Sequence, residues 1–95
     1  MKVNTQSVNF HADKKLINFI QRRMDKLDLF YDKVIQSDIY LKVENTSVKQ
    51  NKIFEARVSV PGNSFMVKKQ CKSFEEGADM AASSLERQLK KRKQQ

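Results

Sequence analysis

The spacing of apolar residues changes twice along the chain, and these changes limit the elements that it can form. Leu16, Ile20, Met24 and Leu27 recur at intervals of four, four and three, which is the spacing of one apolar stripe on an α-helix. After that segment the interval becomes two, as in strands that bury one face. From Phe74 the helical interval returns. The chain is therefore expected to place a run of strands between two helices.

The first of these helices has a clear predicted start. Asp13 directly precedes the apolar stripe, and its carboxylate can accept hydrogen bonds from the free N–H groups of the first turn. The pattern predicts that the helix ends at about Leu29 or Phe30, with Tyr31 closing it.

Strands are predicted in four segments. Residues 2–8 form a short one, and three later segments alternate apolar and polar side chains more strictly. The alternating apolar positions in those segments are Ile39, Leu41 and Val43; Phe54, Ala56, Val58 and Val60; and Phe65, Val67 and Cys71. A polar loop at 45–51 and the turn Pro61-Gly62-Asn63 separate them. We therefore expect a meander with one buried face and one exposed face.

The second helix begins at a capping box. Ser73 can cap the free N–H groups, and Glu76 stands three residues later, as that motif requires. Its apolar stripe consists of Phe74, Ala78, Ala81, Ala82, Leu85 and Leu89. Gly77 costs about 1 kcal/mol relative to alanine inside a helix, and close packing is one reason to tolerate it. The helix is expected to hold through Leu89, with a frayed basic end from about residue 90.

Together these elements predict a single α+β domain over residues 1–95 with the order β-α-β-β-β-α. Each helix has one apolar stripe and the sheet has one apolar face, so the simplest arrangement is a two-layer sandwich with both helices on one side of the sheet. A right-handed crossover through the first helix would make strand one parallel to strand two. The four-stranded sheet is then mixed.

The composition is strongly basic, with a formal net charge of +8 and a pI of about 9.8. Such an excess on a small domain makes a polyanion the default partner, nucleic acid first and an anionic membrane second. No apolar run is long enough to span a membrane, and the N-terminus lacks the apolar core of a secretory signal. The single cysteine, Cys71, can form no internal disulfide. These features favour a cytoplasmic protein.

Positive side chains are expected on three surfaces: one face of the first helix, the exposed side of the sheet, and the outer face of the second helix near its end. In that order they are Lys15, Arg22 and Lys26; Arg57, Lys68 and Lys72; and Arg87, Lys90, Lys91 and Lys93. If the helices lie side by side, their cationic faces could flank a common groove. Contacts with five or six phosphates would give a log–log salt dependence of roughly −4 to −5.

Other interpretations stay open at this point. A single exposed lysine is more often solvated than bound, and a basic amphipathic helix could also lie on a membrane. Tyr40 is the one aromatic residue expected on the exposed face of the sheet. Stacking of splayed bases is therefore not indicated, and recognition of shape and phosphate is favoured.

The sequence indicates no catalytic, cofactor or metal site. His11 is the only histidine and has no obvious nucleophile beside it. Glu75, Glu76 and Asp79 lie near the start of a helix, where the helix dipole favours acids. Zinc-ligand spacings and glycine-rich phosphate loops are missing. We therefore expect no enzymatic activity and no small-molecule substrate.

Nearly the whole chain resembles a known family. The segments that carry the resemblance are VNTQSVNFHADKKLINFI at 3–20, RRMDKLDLFYDKV at 22–34, IYLKVEN at 39–45 and SFEEGADMAASSLERQLKKRK at 73–93. Their order and spacing resemble the short bacterial ribosome hibernation-promoting factors and ribosome-associated inhibitors, the sigma-54 modulation protein family. Each segment alone is only moderately specific.

This resemblance implies a fold distantly like double-stranded-RNA-binding domains, and a cytoplasmic, ribosome-associated protein. It implies binding to the small ribosomal subunit and its 16S rRNA near the decoding centre, across the mRNA channel and the A- and P-site tRNA positions. Translation would then be silenced during starvation or stationary phase. By position, the family's RNA contacts correspond to Arg23 and Lys26 in the first helix and to Arg87 and Lys91 in the second.

The chain also departs from the family. Many members have tyrosine where this chain has Glu75, so an aromatic contact there is not expected. The second domain by which long family members dimerise is not expected here, so the resemblance implies a monomer away from the ribosome. The acidic extension of the members that oppose ribosome pairing is not expected either. The protein could therefore promote paired ribosomes or only silence single ones. Two alternatives remain: a general binder of structured or double-stranded RNA acting away from ribosomes, and a small nuclease that uses His11.

Overall fold

The computed structural model describes residues 1–44 and 51–93 and contains the predicted elements in the predicted order. They are β1 (Lys2–Val8), α1 (Lys14–Asp25), β2 (Gln36–Val43), β3 (Lys52–Val60), β4 (Asn63–Cys71) and α2 (Phe74–Lys93). The α+β class and the β-α-β-β-β-α order are thus confirmed. Of the predicted polar loop at 45–51, residues 45–50 lie outside the described residues.

The four strands form one mixed sheet in the order β1-β2-β3-β4. β1 is parallel to β2, as the right-handed crossover predicts, and the other two pairs are antiparallel. One row of directly paired residues crosses the whole core face: Thr5, Ile39, Ala56 and Val67. This register places the apolar set of each strand under the helices.

Both helices cover the same face of the sheet and bury the predicted stripes. The side chains of α1 that lie in the core are Leu16, Ile20 and Met24, followed by Leu27 in the next turn. From α2 the core receives Phe74, Ala78, Ala81, Ala82, Leu85 and Leu89. Fully burying one large aliphatic side chain stabilises a fold by about 1.5–3 kcal/mol, so these two stripes hold the helical layer in place.

The helix ends follow the capping rules with two adjustments. The Leu16 N–H donates to Asp13 Oδ1 at 2.8 Å, and the Glu76 N–H donates to Ser73 Oγ at 3.1 Å. α1 ends at Asp25 and continues as a tighter 3-10 turn, Lys26–Leu29, so the predicted end near Leu29 is correct but the last turn is not α-helical. α2 continues through Lys93, whereas fraying was expected from about residue 90.

Gly77 allows α2 to approach the sheet closely. A Cβ atom at this position would lie 2.7 Å from Cys71 Sγ and 2.7 Å from Phe54 Cβ. Both neighbours are fully buried, so neither can move aside easily. The close packing suggested by the sequence is therefore the reason for a glycine inside this helix.

We predict that Gly77→Ala destabilises the protein by about 1–3 kcal/mol, because overpacking exceeds the gain of about 1 kcal/mol in helix propensity. Chemical denaturation measures the change. The control is Ser84→Ala, a half-buried position on the same helix, where a change close to zero is expected. Equal stability of Gly77→Ala and the parent chain would contradict the packing argument.

The N-terminal ammonium is bound at the end of α1. It lies 2.7 Å from Asp28 Oδ2 and 3.2 Å from Asp25 Oδ1, and Gln21 donates to the Met1 carbonyl at 3.0 Å. The hydrogen bond with Asp28, followed by that with Asp25, raises the pKa of the Met1 ammonium above its ordinary value of about 8. The start of β1 is thus fastened to the helix that follows it.

Because this pKa is raised in the folded state, the contribution of the ammonium is complete below about pH 8 and is lost as the pH rises through the folded value. We expect acetylation of Met1 to lower the Tm by a few degrees at pH 7, a modest effect because both carboxylates are partly exposed. Thermal melts of free and acetylated chains should converge in strongly alkaline buffer. A constant difference across this range would rule out the ionic contribution.

Candidate nucleic-acid interface

The cations predicted on the first helix lie along one flank of α1 and of the 3-10 turn that follows it. Lys15, Arg22 and Lys26 are all exposed and are separated by seven and four residues, which keeps them on one side of the helix. Beside them is a depression of about 320 Å³, here called the interhelix depression, which is lined by Phe19, Arg22, Arg23, Lys26 and Asp79. Three cations therefore surround one half-buried aromatic ring.

One of these cations is already paired within the protein. Arg23 Nε donates to Asp79 Oδ1 at 2.9 Å, which joins α1 to α2 across the interhelix depression. The Arg23 side chain is 21% exposed and that of Asp79 is 59% exposed, so water screens the pair and its contribution is modest. An RNA phosphate would have to compete with Asp79 for Arg23, whereas Arg22 and Lys26 are exposed.

Charge is divided along α2. Its acidic residues are Glu75, Glu76, Asp79 and Glu86, and its basic residues are Arg87, Lys90, Lys91, Arg92 and Lys93. All the acids precede all the bases, which matches the positive end of the helix dipole with anions and the negative end with cations. The last two turns of α2 therefore form a basic tip, here defined as residues 87–93.

The basic tip is fastened to the rest of the protein and is not a loose tail. Arg92 Nε donates to the Tyr31 hydroxyl at 3.2 Å, and its Nη2 donates to the Pro61 carbonyl at 2.8 Å. Lys90 Nζ lies 2.9 Å from Glu86 Oε1 and 4.5 Å from the centre of the Phe30 ring. These contacts hold the tip against the end of the 3-10 turn and the β3–β4 turn.

Two further cations of the tip, Arg87 and Lys91, do not lie on the side of α2 that packs beside α1. Lys91 lines a second depression of about 250 Å³ beside β4, together with Asn63, Phe65, Gln88 and Arg92; we call it the β4–α2 depression. Exposed Arg87 donates from Nη2 to Ser84 Oγ at 3.3 Å, and lies near the crest of α2. The expectation of one groove between the two cationic faces is therefore wrong. Arg22 lines the depression between α1 and α2, whereas Lys91 lines the depression on the other side of α2, beside β4.

The cations predicted on the sheet belong to a different face. Arg57 lies directly opposite Asp38, and Lys68 lies directly opposite Glu55, on the side of the sheet that the helices do not cover. Opposite charges in cross-strand pairs attract one another, so this face is nearly balanced around both cations. The structure does not bring Arg57 and Lys68 together with the helical cations.

Two further predicted contacts lie at the ends of α2. Lys72 is exposed just before the helix begins, far from the basic tip. Lys93 is the last residue of the helix, and its side chain lies outside the described part of the structure. The helical layer therefore carries the cations of α1 and the basic tip as its main positive regions.

Sequence reasoning missed four residues beside the predicted cations. Arg92 follows Phe74 by five helical turns and falls in line with the apolar stripe, so its charge was not expected to organise the tip. Asn63 and Phe65 belong to β4 and Gln88 belongs to α2, and these two elements meet at this point only in the folded chain. The one feature of the sequence that could have indicated this depression is Phe65, the aromatic residue near the start of β4.

The described residues contain no group of three or more His, Cys, Asp and Glu side chains that could hold a metal ion. Cys71 is fully buried, and its Sγ donates to the Lys52 carbonyl at 3.3 Å. Burial raises the pKa of this thiol, so it is protonated at neutral pH and a poor nucleophile. Across residues 1–44 and 51–93, no helix is long and apolar enough to cross a membrane.

Comparison with solved structures shows the same fold in two proteins. The N-terminal domain of Thermus thermophilus Protein Y superposes with a TM-score of 0.83 at 18% identity, over 96% of this chain and 98% of that chain. A ribosomal subunit interface protein from Coxiella burnetii gives a TM-score of 0.86 at 19% identity, over 100% of each chain. Such low identities show a common fold and no more.

Sequence comparison gives the family. A ribosome hibernation promoting factor of Pseudomonas putida KT2440 is 25% identical over 94 residues, which cover 99% of this chain and 88% of the relative. The model of the family described as "Sigma 54 modulation protein / S30EA ribosomal protein" matches residues 3–95. That match includes α1, the basic tip and all of the sheet except Lys2. The protein therefore belongs to the Sigma 54 modulation protein / S30EA ribosomal protein family.

Proposed function

We propose that this protein is a ribosome hibernation factor that binds the small ribosomal subunit near the decoding centre and silences translation during starvation or stationary phase. Its family and its similarity, over nearly all of this chain, to a ribosome hibernation promoting factor support this proposal. The 16S rRNA is the partner, and the protein acts in the cytoplasm on ribosomes. No catalytic step is required of it.

The observation that carries the proposal is the rigid placement of charge on the helical layer. Arg22 on α1, Lys26 on the 3-10 turn, and Arg87 and Lys91 on the basic tip are exposed, while the elements that carry them are packed on one sheet face. Cations at fixed separations select phosphates at matching separations, which folded rRNA provides and a flexible polyanion does not. A loose basic tail would supply affinity without this selection.

Silencing follows from occupation of space. The protein measures about 43 × 24 × 19 Å, and its core is closely packed. Held in the decoding region by phosphate contacts, a body of this size would exclude mRNA from its channel and tRNA from the A and P sites. Removal of the protein would restore the site, because no bond in the RNA is made or broken.

The charge-reversal variant Arg87→Glu/Lys91→Glu tests the basic tip. We predict that it weakens binding to purified small subunits by on the order of 100-fold or more at moderate salt, and reduces the log–log salt slope by about 2. Both side chains are exposed, so the Tm should be nearly unchanged. Sedimentation with small subunits over a salt series measures both quantities.

The matched control reverses two exposed lysines on the open face of the sheet, Lys2→Glu/Lys42→Glu. Each double variant changes the net charge from +8 to +4, since every lysine or arginine to glutamate change removes two charges. We expect the control to retain most of the binding. Equal losses in the two variants would show that total charge, and not the basic tip, governs binding.

Occlusion itself is tested by competition. We predict that saturating protein prevents initiator tRNA from binding to small subunits, and that the Arg87→Glu/Lys91→Glu variant does so only at much higher concentration. Filter binding of labelled tRNA measures the effect. Unimpaired tRNA binding at saturation would contradict the proposal, and equally tight binding to duplex RNA would favour a general RNA-binding protein.

A further inference from the structure

The β4–α2 depression has a composition suited to one nucleotide. Its lining consists of the aromatic ring of Phe65, the two carboxamides of Asn63 and Gln88, and the two cationic side chains of Lys91 and Arg92. None of these residues is acidic. We propose that this depression holds a single unpaired nucleotide of RNA, with the base against Phe65. The proposal rests on the proposed function, since it names the part of the RNA that this flank of α2 contacts.

Phe65 supplies the stacking surface. It lies on edge strand β4 directly opposite Val58, and it is only half-buried, unlike its neighbour Val67. Pairing with β3 fixes the backbone that carries the ring, so little conformational freedom is lost when a base stacks on it. Stacking of a base on an aromatic side chain contributes about 1–3 kcal/mol and accepts every base.

Asn63 and Gln88 supply hydrogen bonds to the base edge. A carboxamide carries both an acceptor oxygen and an NH₂ donor, the same two functions that the edges of bases present. Asn63 Oδ1 accepts from the Ser64 N–H at 2.8 Å, which orients the side chain and leaves its NH₂ group as a donor. Gln88 lies across the depression on α2 and is half-buried.

The two cations supply the phosphate contact. Lys91 is exposed at the rim, and Arg92 is held in place by the Tyr31 hydroxyl and the Pro61 carbonyl. A guanidinium has five N–H donors, so Arg92 keeps donors beyond those it gives to these two oxygens. The interhelix depression differs here, because its lining includes an acid, Asp79, which is paired with Arg23.

Size and shape favour an unpaired nucleotide over other ligands. At about 250 Å³ the depression is smaller than the roughly 300–1,000 Å³ of sites for drug-sized molecules. A base within a duplex is stacked on both faces and cannot enter it. Single-stranded segments and loops can turn a base outward at little cost, and these are the parts of folded RNA where bases are read.

Two variants test the site by different means. Phe65→Leu removes the stacking surface and keeps an apolar side chain, and Gln88→Glu keeps the size and places an acid beside Lys91. We expect each to weaken binding to a short single-stranded oligoribonucleotide and to small subunits by about 5- to 100-fold. Fluorescence anisotropy measures the first affinity and sedimentation the second. Binding of Phe65→Leu to duplex RNA of the same length should be unchanged.

The matched controls lie on the open face of the sheet, where Tyr40→Leu also removes an exposed aromatic ring and Gln6→Glu also adds an acid. Both should bind as the parent chain does. If thermal melting shows that Phe65→Leu is destabilised, Gln88→Glu on the surface of α2 decides the result.

The outcomes separate this inference from the proposed function. Parent-like affinity of Phe65→Leu and Gln88→Glu for small subunits, with binding still lost in Arg87→Glu/Lys91→Glu, would overturn the nucleotide site and leave the ribosomal function intact. Oligoribonucleotide binding that depends on Phe65, without binding to small subunits, would support the nucleotide site and refute the ribosomal function.

Discussion

The contact between α2 and the sheet at Gly77 is the constraint on which the rest of the structure depends. With no side chain at this position, the helix lies directly against Phe54 and Cys71, and its three buried alanines continue the same close approach along β3 and β4. α2 therefore lies close to β3 and β4, and α1 packs beside it and against β1. The distance between the sheet and the charged residues of α2 follows from this contact.

Electrostatics then sets which parts of the layer are available to a polyanion. The acids of α2 lie in its first half, where Asp79 neutralises Arg23 across the interhelix depression. The basic tip has no acid after Glu86, and its internal contacts occupy Arg92 and Lys90 more than Arg87 and Lys91. The positive charge available to a polyanion on the helical layer thus comes from fewer residues, in a smaller area, than a net charge of +8 suggests.

Much of the fold was predictable because buried stripes repeat at the period of their element. The spacing of Leu16, Ile20 and Met24 predicts α1 and its buried face from the sequence alone, and the alternation of apolar residues does the same for β3. Hydrogen bonds between distant residues cannot be read from the spacing of apolar residues in the sequence. Two examples are Arg23 with Asp79, which are 56 residues apart, and Arg92 with Tyr31, which are 61 residues apart. Polar contacts between distant segments depend on how elements meet, so the sequence predicted the cations of the candidate interface but neither their partners nor their division between two depressions.

The hydrogen bonds that Arg92 donates to Tyr31 and Pro61 join the end of α2 to two turns that lie far apart in the sequence. An unfolded chain has the same number of cations, but the contacts of Arg92 require the end of α2 to lie against both turns, as it does in the folded chain. A partner that recognises the arranged cations is consequently a ligand of the native state alone, and by mass action it protects the protein against unfolding. Occupied ribosomes would then act as a reservoir that prolongs the lifetime of the factor they hold.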